Sequence, residues 1–262
     1  MSNQANTEYL FLPGLARSTA RMQIRDMKSY LRRVEHFFAR DDFKLQSEED
    51  KHYWEHLDSP NNDGEDWLLK MRRAKHESDY NLFLKSSLGM LYSSLDIALF
   101  NIARLVSEIT KLDLNPKKYE PKRKEAMFSG DIGTYAKYLI DFHNINWDEL
   151  LHDWMRIDRF RITRNYIIHQ GGELEPEQIK RFDKIAMTEE GLSRESSSIT
   201  ISAFYLNAMS DHINFFFDKL CKRLDHRVIP KPQISIINNE KTRKFILCYT
   251  DNGKHQQKFK KP

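Results

Sequence analysis

Arg164-Asn165-Tyr166-Ile167-Ile168-His169, followed by Gly171-Gly172, collects the residue types that proton transfer beside a phosphate requires. Histidine ordinarily titrates near neutrality, so it can both take and give a proton. Arginine stays cationic and presents a planar fork of donors that matches a phosphate. Residues five apart on an ideal helix point about 140° from each other, so Arg164 and His169 do not share a stripe. Arg161, Asn165 and His169, each four apart, do. Arg164 must curl round, or the last turn must tighten or widen, for the pair to meet on one ligand. The reading is that Arg164 and His169 are catalytic and that Asn165 holds His169 or the phosphate. Arg161 is a further contact to an anionic ligand. The plain alternative is that Arg164 pairs with a neighbouring acid such as Asp158 or Glu173, while His169 caps helix carbonyls.

Other constellations carry less. His52-Tyr53-Trp54-Glu55-His56 matches H-x-x-E-H, in which two histidines one helical turn apart clamp a zinc and the glutamate acts as base. No third ligand stands at a motif-defined distance, and Tyr53 and Trp54 are expected to pack this short segment down. His212 beside Asp211 reads as a satisfied polar group at the core edge. Met22, Met27 and Met90 read as core filler. Cys221 and Cys248 are too few for a disulfide framework or a four-cysteine metal site. No G-x-x-x-x-G-K-[ST] or G-x-G-x-x-G loop occurs, so nucleotide-cofactor binding has no support, and neither a cofactor nor a metal is expected.

The 262 residues are 40% hydrophobic and 31% charged, with only nine Gly and eight Pro. This excludes collagen-like, low-complexity and disordered classes and argues against an all-β fold. No apolar run reaches the roughly 18–20 residues of a membrane span, and Met1 to Thr7 lacks a secretory pattern. The expected location is cytoplasmic, with no membrane partner. The net charge of +4 hides an asymmetry: residues 219–262 hold twelve Lys/Arg against three acids, net +9, and the other 218 residues are net −5. A basic segment on a mildly acidic body suits a polyanion.

Apolar spacing sets out the elements. Ile24, Met27, Leu31, Val34 and Phe38 form one stripe of a helix from Ser18 to about Arg40, and a short helix follows over 48–57. Another short helix is expected over 65–75. Leu84, Leu88, Leu91, Leu95, Leu99, Ile102, Val106 and Ile109 mark a long helix over 78–111. Lys117, Lys118, Lys122, Arg123 and Lys124 lie in a proline-broken loop. Helices over 131–142 and 146–169 come next. Lys184–Met187 and Ser198–Ser202 are read as arms of a hairpin around Glu189-Glu190-Gly191. A last helix covers 203–224, and Ile234–Ile237 with Lys244–Tyr249 form a small β appendage turned by Asp251-Asn252-Gly253. Three regions result: a helical extension over 1–77, a bundle over 78–226 and a basic β tail over 227–262.

Arg164-Asn165 with His169, near the end of a tryptophan-containing helix stopped by Gly-Gly, resembles the R-x4–6-H motif of the HEPN superfamily. The resemblance covers about residues 78–224. It implies a mainly α, up-and-down helical bundle, here with a small β-hairpin insertion and a short C-terminal β appendage. It also implies a metal-independent endoribonuclease that acts as a homodimer, of the kind found among toxins and anti-phage defence effectors. RNA carries its own nucleophile, the 2′-hydroxyl, so a base and a cation suffice. On that reading Arg161, Lys117, Lys118, Lys122, Arg123 and Lys124 contact RNA, with Tyr119, Phe245, Tyr249 and Phe259 available for stacking. An antitoxin or regulatory protein is a further implied partner. Some members of the superfamily are catalytically silent, so a module that binds a nucleotide, nucleic acid or protein is the alternative.

Overall fold

Leu12–Glu55 is one uninterrupted helix, α1, and Asp63–Thr110 is another, α2. These 44 and 48 residues, at about 1.5 Å each, make rods of about 66 and 72 Å. The structure, a computed structural model, describes residues 12–56, 63–110, 128, 130–143, 148–228, 233–234 and 247–248. The breaks expected after Arg40 and before Ser78 do not occur, and charge pairing between the rods explains why. Arg73 binds Glu49 at 2.7 Å and also meets Asp42, Arg72 meets Glu48, and His76 sits 3.2 Å from Asp41. The acidic stretch that looked like a helix end is thus the counter-face of basic residues on α2. Each pair sums to nearly the same residue total, as two antiparallel rods require. Phe38, Tyr80 and Phe83 fill the seam between them.

Gly130–His143 forms α3, Asp148–Gln170 α4, Pro176–Ala186 α5 and Ala203–Val228 α6. Leu192–Glu195 (β1) and Ser198–Ile201 (β2) make an antiparallel hairpin, and Gln233–Ile234 (β3) pairs with Leu247–Cys248 (β4). The fold is a mainly α bundle with a small β hairpin. Its core unites Ile24, Met27 and Leu31 of α1 with Leu84, Leu88, Leu91 and Leu95 of α2, Trp154, Ile157 and Phe160 of α4, and Phe216 and Phe217 of α6. Residue 77 lies inside α2, and α1 contributes to the same core as the bundle. By length and composition alone α2 meets the test for a membrane-crossing helix, while its leucine stripe is packed in this core.

The hairpin differs from the sequence expectation. Lys184–Ala186 is the end of α5 and Met187 its C-cap, so no strand forms there, and the arms turn at Ser196-Ser197. Pro176 at the first helical position and the Gln178 side chain, which accepts a 3.1 Å bond from the Glu175 N–H, start a helix there. Phe182 and Ile185 then bury its inner side. Met22 and Met90, expected inside, are exposed; Met27 is buried. Lys117–Lys124, Asp251–Gly253, Tyr119, Phe245, Tyr249 and Phe259 lie outside the described residues.

A polar layer ties α4 to its neighbours. Glu189, buried after α5, accepts from Arg156 and Arg159 of α4 at 2.9 and 3.0 Å. Buried Asp153 accepts from Lys219 at 2.8 Å, and the His212 ring donates from Nε2 to the Asp153 carbonyl at 3.0 Å. His212 is therefore the satisfied group at the core edge that the sequence suggested. Burial, and secondarily Arg156, depress its pKa below 6.5 against the raising effects of Asp153 and Glu189. The folded state thus prefers the neutral ring, and the unfolded chain binds the proton first as pH falls. The stabilisation is complete above about pH 6.5 and is lost on acidification through the folded pKa. We expect the stability difference between wild type and His212→Gln, followed by urea unfolding from pH 7.5 to 5, to shrink below pH 6.5. A difference that is flat with pH contradicts the assignment.

Candidate active site

Arg164, Asn165 and His169 occupy the last two turns of α4, where it crosses α2. Arg164 is half-buried, with its guanidinium carbon 5.0 Å from the centroid of the Tyr92 ring, a cation–π contact. Its Nη1 donates to Asn165 Oδ1 at 3.1 Å, and its Nε is buried with no hydrogen-bond partner among the described residues. Arg164 therefore pairs with neither acid that the alternative reading offered. Asp158 is taken by Arg161, and Glu173 accepts from Ser197 Oγ at 2.8 Å.

Tyr92 and Asp96 stand near Arg164, and Asp131 and Tyr135 stand near Asp96, none of which the motif singles out. Burial, reinforced by Asp131, raises the Asp96 carboxyl above its ordinary range, and the Arg164 charge pulls the other way. Burial, then Asp96, pushes the Tyr92 hydroxyl up to about 12. Asp96 Oδ1 is also buried without a hydrogen-bond partner among the described residues. One signal in the sequence pointed here: Asp96 is the sole acid between Asp79 and Glu108 on an otherwise apolar helix.

His169 and Ile168 are exposed at the end of α4. The end is wide rather than tight. Gly172 N–H donates to the Tyr166 carbonyl at 3.1 Å, a span of six residues, one more than the standard Schellman closure. Gly171 and Gly172 have φ of +66° and +89°, which only glycine adopts cheaply. Lys85 Nζ of α2 donates to the Gly171 carbonyl at 3.1 Å, the Ile199 N–H donates to the Gly172 carbonyl at 2.8 Å, and the Leu174 N–H to the Ser197 carbonyl at 2.9 Å. The hairpin and α2 together fix the chain just past His169. A Cβ on Gly172 would lie 2.9 Å from Lys85 Nζ in addition to its left-handed strain. Gly172→Ala is expected to cost roughly 1–2 kcal/mol from the backbone alone, read as a lowered urea midpoint. An unchanged midpoint contradicts the described turn.

Asn165, which the sequence reading assigns to hold His169 or the phosphate, turns its oxygen to Arg164 and orients that fork. The guanidinium of Arg161, the expected RNA contact, binds Asp158 through Nε and Nη2 at 2.9 and 2.8 Å, and both side chains are largely buried, 13% and 18% exposed. Lys117, Lys118, Lys122, Arg123 and Lys124 lie outside the described residues. The H-x-x-E-H segment closes α1 with the His52 and His56 rings stacked 4.5 Å apart and His56 Nδ1 at 3.0 Å from the His52 carbonyl. Tyr53 and Trp54 are exposed there rather than packed down. Among the described residues no cluster of three or more His, Cys, Asp or Glu is placed to hold a metal ion. Compared with family models, curated proteins and solved structures, the chain finds no match.

Proposed function

We propose that the protein is an endoribonuclease acting through Arg164 and His169, as its resemblance to the HEPN superfamily suggests. The observation that carries the reading is the state of Arg164: a partly buried guanidinium that feels the charge of Asp96 but is hydrogen-bonded to no carboxylate among the described residues, braced by Tyr92 and Asn165, on the same two turns as an exposed histidine. A guanidinium whose Nε is buried without a hydrogen-bond partner among the described residues is suited to a ligand anion that completes it.

In the proposed reaction His169 accepts the proton of a ribose 2′-hydroxyl, and the oxygen attacks the adjacent phosphorus. Arg164 stabilises the charge on the phosphoryl oxygens, as preorganised donors do. The 5′-oxygen leaves with a proton from a second imidazole. A single chain carries one such histidine in this motif, so the second belongs to another copy, and the working unit is a homodimer. The products are a 2′,3′-cyclic phosphate and a 5′-hydroxyl, with no demand for a metal. A toxin or anti-phage effector restrained by an antitoxin, in the cytoplasm, is the biological setting that fits by analogy alone.

One observation favours a silent binding module instead: the Asn165 oxygen is engaged by Arg164, and among the described residues no hydrogen bond orients the His169 ring. Incubating the protein with end-labelled single-stranded RNA in EDTA separates the two. Cleavage that His169→Ala abolishes supports the enzyme. Binding that survives His169→Ala without any cleavage supports the module.

A further inference from the structure

Two ion-paired rungs join α1 to α6. Lys28 Nζ donates to both carboxylate oxygens of Asp211 at 2.5 and 2.6 Å, and Arg21 binds Asp218. The two rungs share one residue total, as antiparallel helices require, and the same total sets Arg25 level with Asn214 between them. This middle rung is open. An amide stands where both neighbouring rungs have a carboxylate, and Arg25 has no hydrogen bond or ion pair among the described residues. Asn214 Oδ1 is buried without a hydrogen-bond partner among the described residues, so the amide turns its NH2 edge outward. A groove of about 690 Å³ lies over the rung, lined by Arg21, Arg25, Lys28, Asn214 and Asp218 with Met22 as its apolar part. That is the size of a small-molecule site.

We propose that this groove binds a small organic monocarboxylate, held by the Arg25 fork and the Asn214 NH2. Donors without acceptors select an oxyanion, and a guanidinium meets a carboxylate through two parallel bonds. Charge then selects among oxyanions. Arg21 and Lys28 are neutralised by Asp218 and Asp211, which leaves the single charge of Arg25, and one carboxylate balances it. A phosphate monoester carries about −1.5 to −2 at pH 7 and would set a surplus negative charge between Asp211 and Asp218. The same two acids oppose a nucleic-acid backbone, whose affinity comes from uninterrupted cations. The ligand's hydrocarbon lies along Met22.

The site stands apart from the ribonuclease reading. Trp154 of α4 packs on Phe216 of α6, with ring centroids 5.9 Å apart. Asn214 is thus level with residue 154, about 22 Å along α4 from His169. A bound carboxylate closes the middle rung and ties α1 to α6 at the point where the protein's own pairs leave a gap.

Saturation-transfer NMR with sodium benzoate and the full chain at pH 7 tests the site. Benzoate should receive magnetisation from the wild-type protein, and excess butyrate should displace it. Arg25→Gln removes the cation, and Asn214→Asp supplies the missing carboxylate from the protein itself. Each should weaken benzoate binding about tenfold or more. Arg25 is exposed and Asn214 half-buried, so both variants should keep the wild-type far-UV spectrum. Arg164→Gln should bind benzoate as wild type does, which separates this groove from the active-site arginine whatever the RNA assay returns. Arg40→Gln, elsewhere on α1, should also be unchanged and controls for general attraction of anions. Benzoate that fails to bind wild type, or binding that survives Arg25→Gln, overturns the proposal. So does binding lost in Arg164→Gln or Arg40→Gln. Inorganic phosphate that displaces benzoate at a lower concentration than butyrate, at matched ionic strength, assigns the groove to phosphate and overturns the carboxylate. Loss of RNA binding in Arg25→Gln assigns it to nucleic acid and overturns it equally.

Discussion

On the proposed ribonuclease reading, His169→Ala should lower the rate of RNA cleavage about 10²–10⁴-fold, the range general acid–base assistance supplies. That is roughly 3–5 kcal/mol of barrier. The expectation is large because a single imidazole would carry the proton of the 2′-hydroxyl. It is also clean: His169 is exposed at a helix end, so the variant should unfold at the same denaturant concentration as wild type. Arg164→Ala should also abolish cleavage, but for two reasons that need separating. It removes the cation for the phosphate, and it removes the group packed over Tyr92. Arg164→Lys keeps the charge and loses the planar fork, so it should retain fold and RNA affinity while losing most of the rate. Single-turnover rates with labelled RNA, beside unfolding curves for each variant, check this. Wild-type rates in His169→Ala contradict the assignment.

Trp154→Ala is expected to cost about 3–5 kcal/mol of stability. Trp154 is 1% exposed and sits between Phe128 and Phe216, with ring centroids at 5.6 and 5.9 Å. It joins α4 to α6 and to residue 128, so its removal leaves a void between packed aromatic rings. At roughly 2–4 °C per kcal/mol, Tm should fall by about 6–20 °C. Calorimetry reads the shift, and a loss under 1 kcal/mol would show that the centre of the bundle is not where the structure puts it. Because α4 also carries Arg164 and His169, the variant links packing to function: activity should fall with the folded fraction and not beyond it.

The regular part of the fold was legible because it rests on periodicity. Every leucine of the stripe from Leu84 to Leu99 is buried, as are Ile102 and Val106. What was not legible came from partners distant in sequence. Asp41-Asp42 reads as a helix end until Arg73 and His76 are placed opposite. Lys184–Met187 reads as a strand until Phe182 and Ile185 turn inward together from a helix begun at Pro176. At the site, the motif marked Arg164, Asn165 and His169, but not the residues that set their environment. Tyr92, Asp96 and Lys85 belong to a helix more than sixty residues earlier in the chain. Arg161 looked as available as Arg164, and only the fold shows that one is tied to Asp158 while the other faces a ring and an amide. Spacing assigns a residue to a helix side; it does not say what lies across from that side.

The chemistry of the RNA ends tests the central claim most directly. After incubation of the wild-type protein with a short single-stranded RNA in EDTA, mass spectrometry should find fragments ending in a 2′,3′-cyclic phosphate, with 5′-hydroxyl partners. His169→Ala should yield neither. Fragments with 3′-hydroxyl and 5′-phosphate ends, or intact RNA under conditions where the protein is folded and dimeric, would contradict the account.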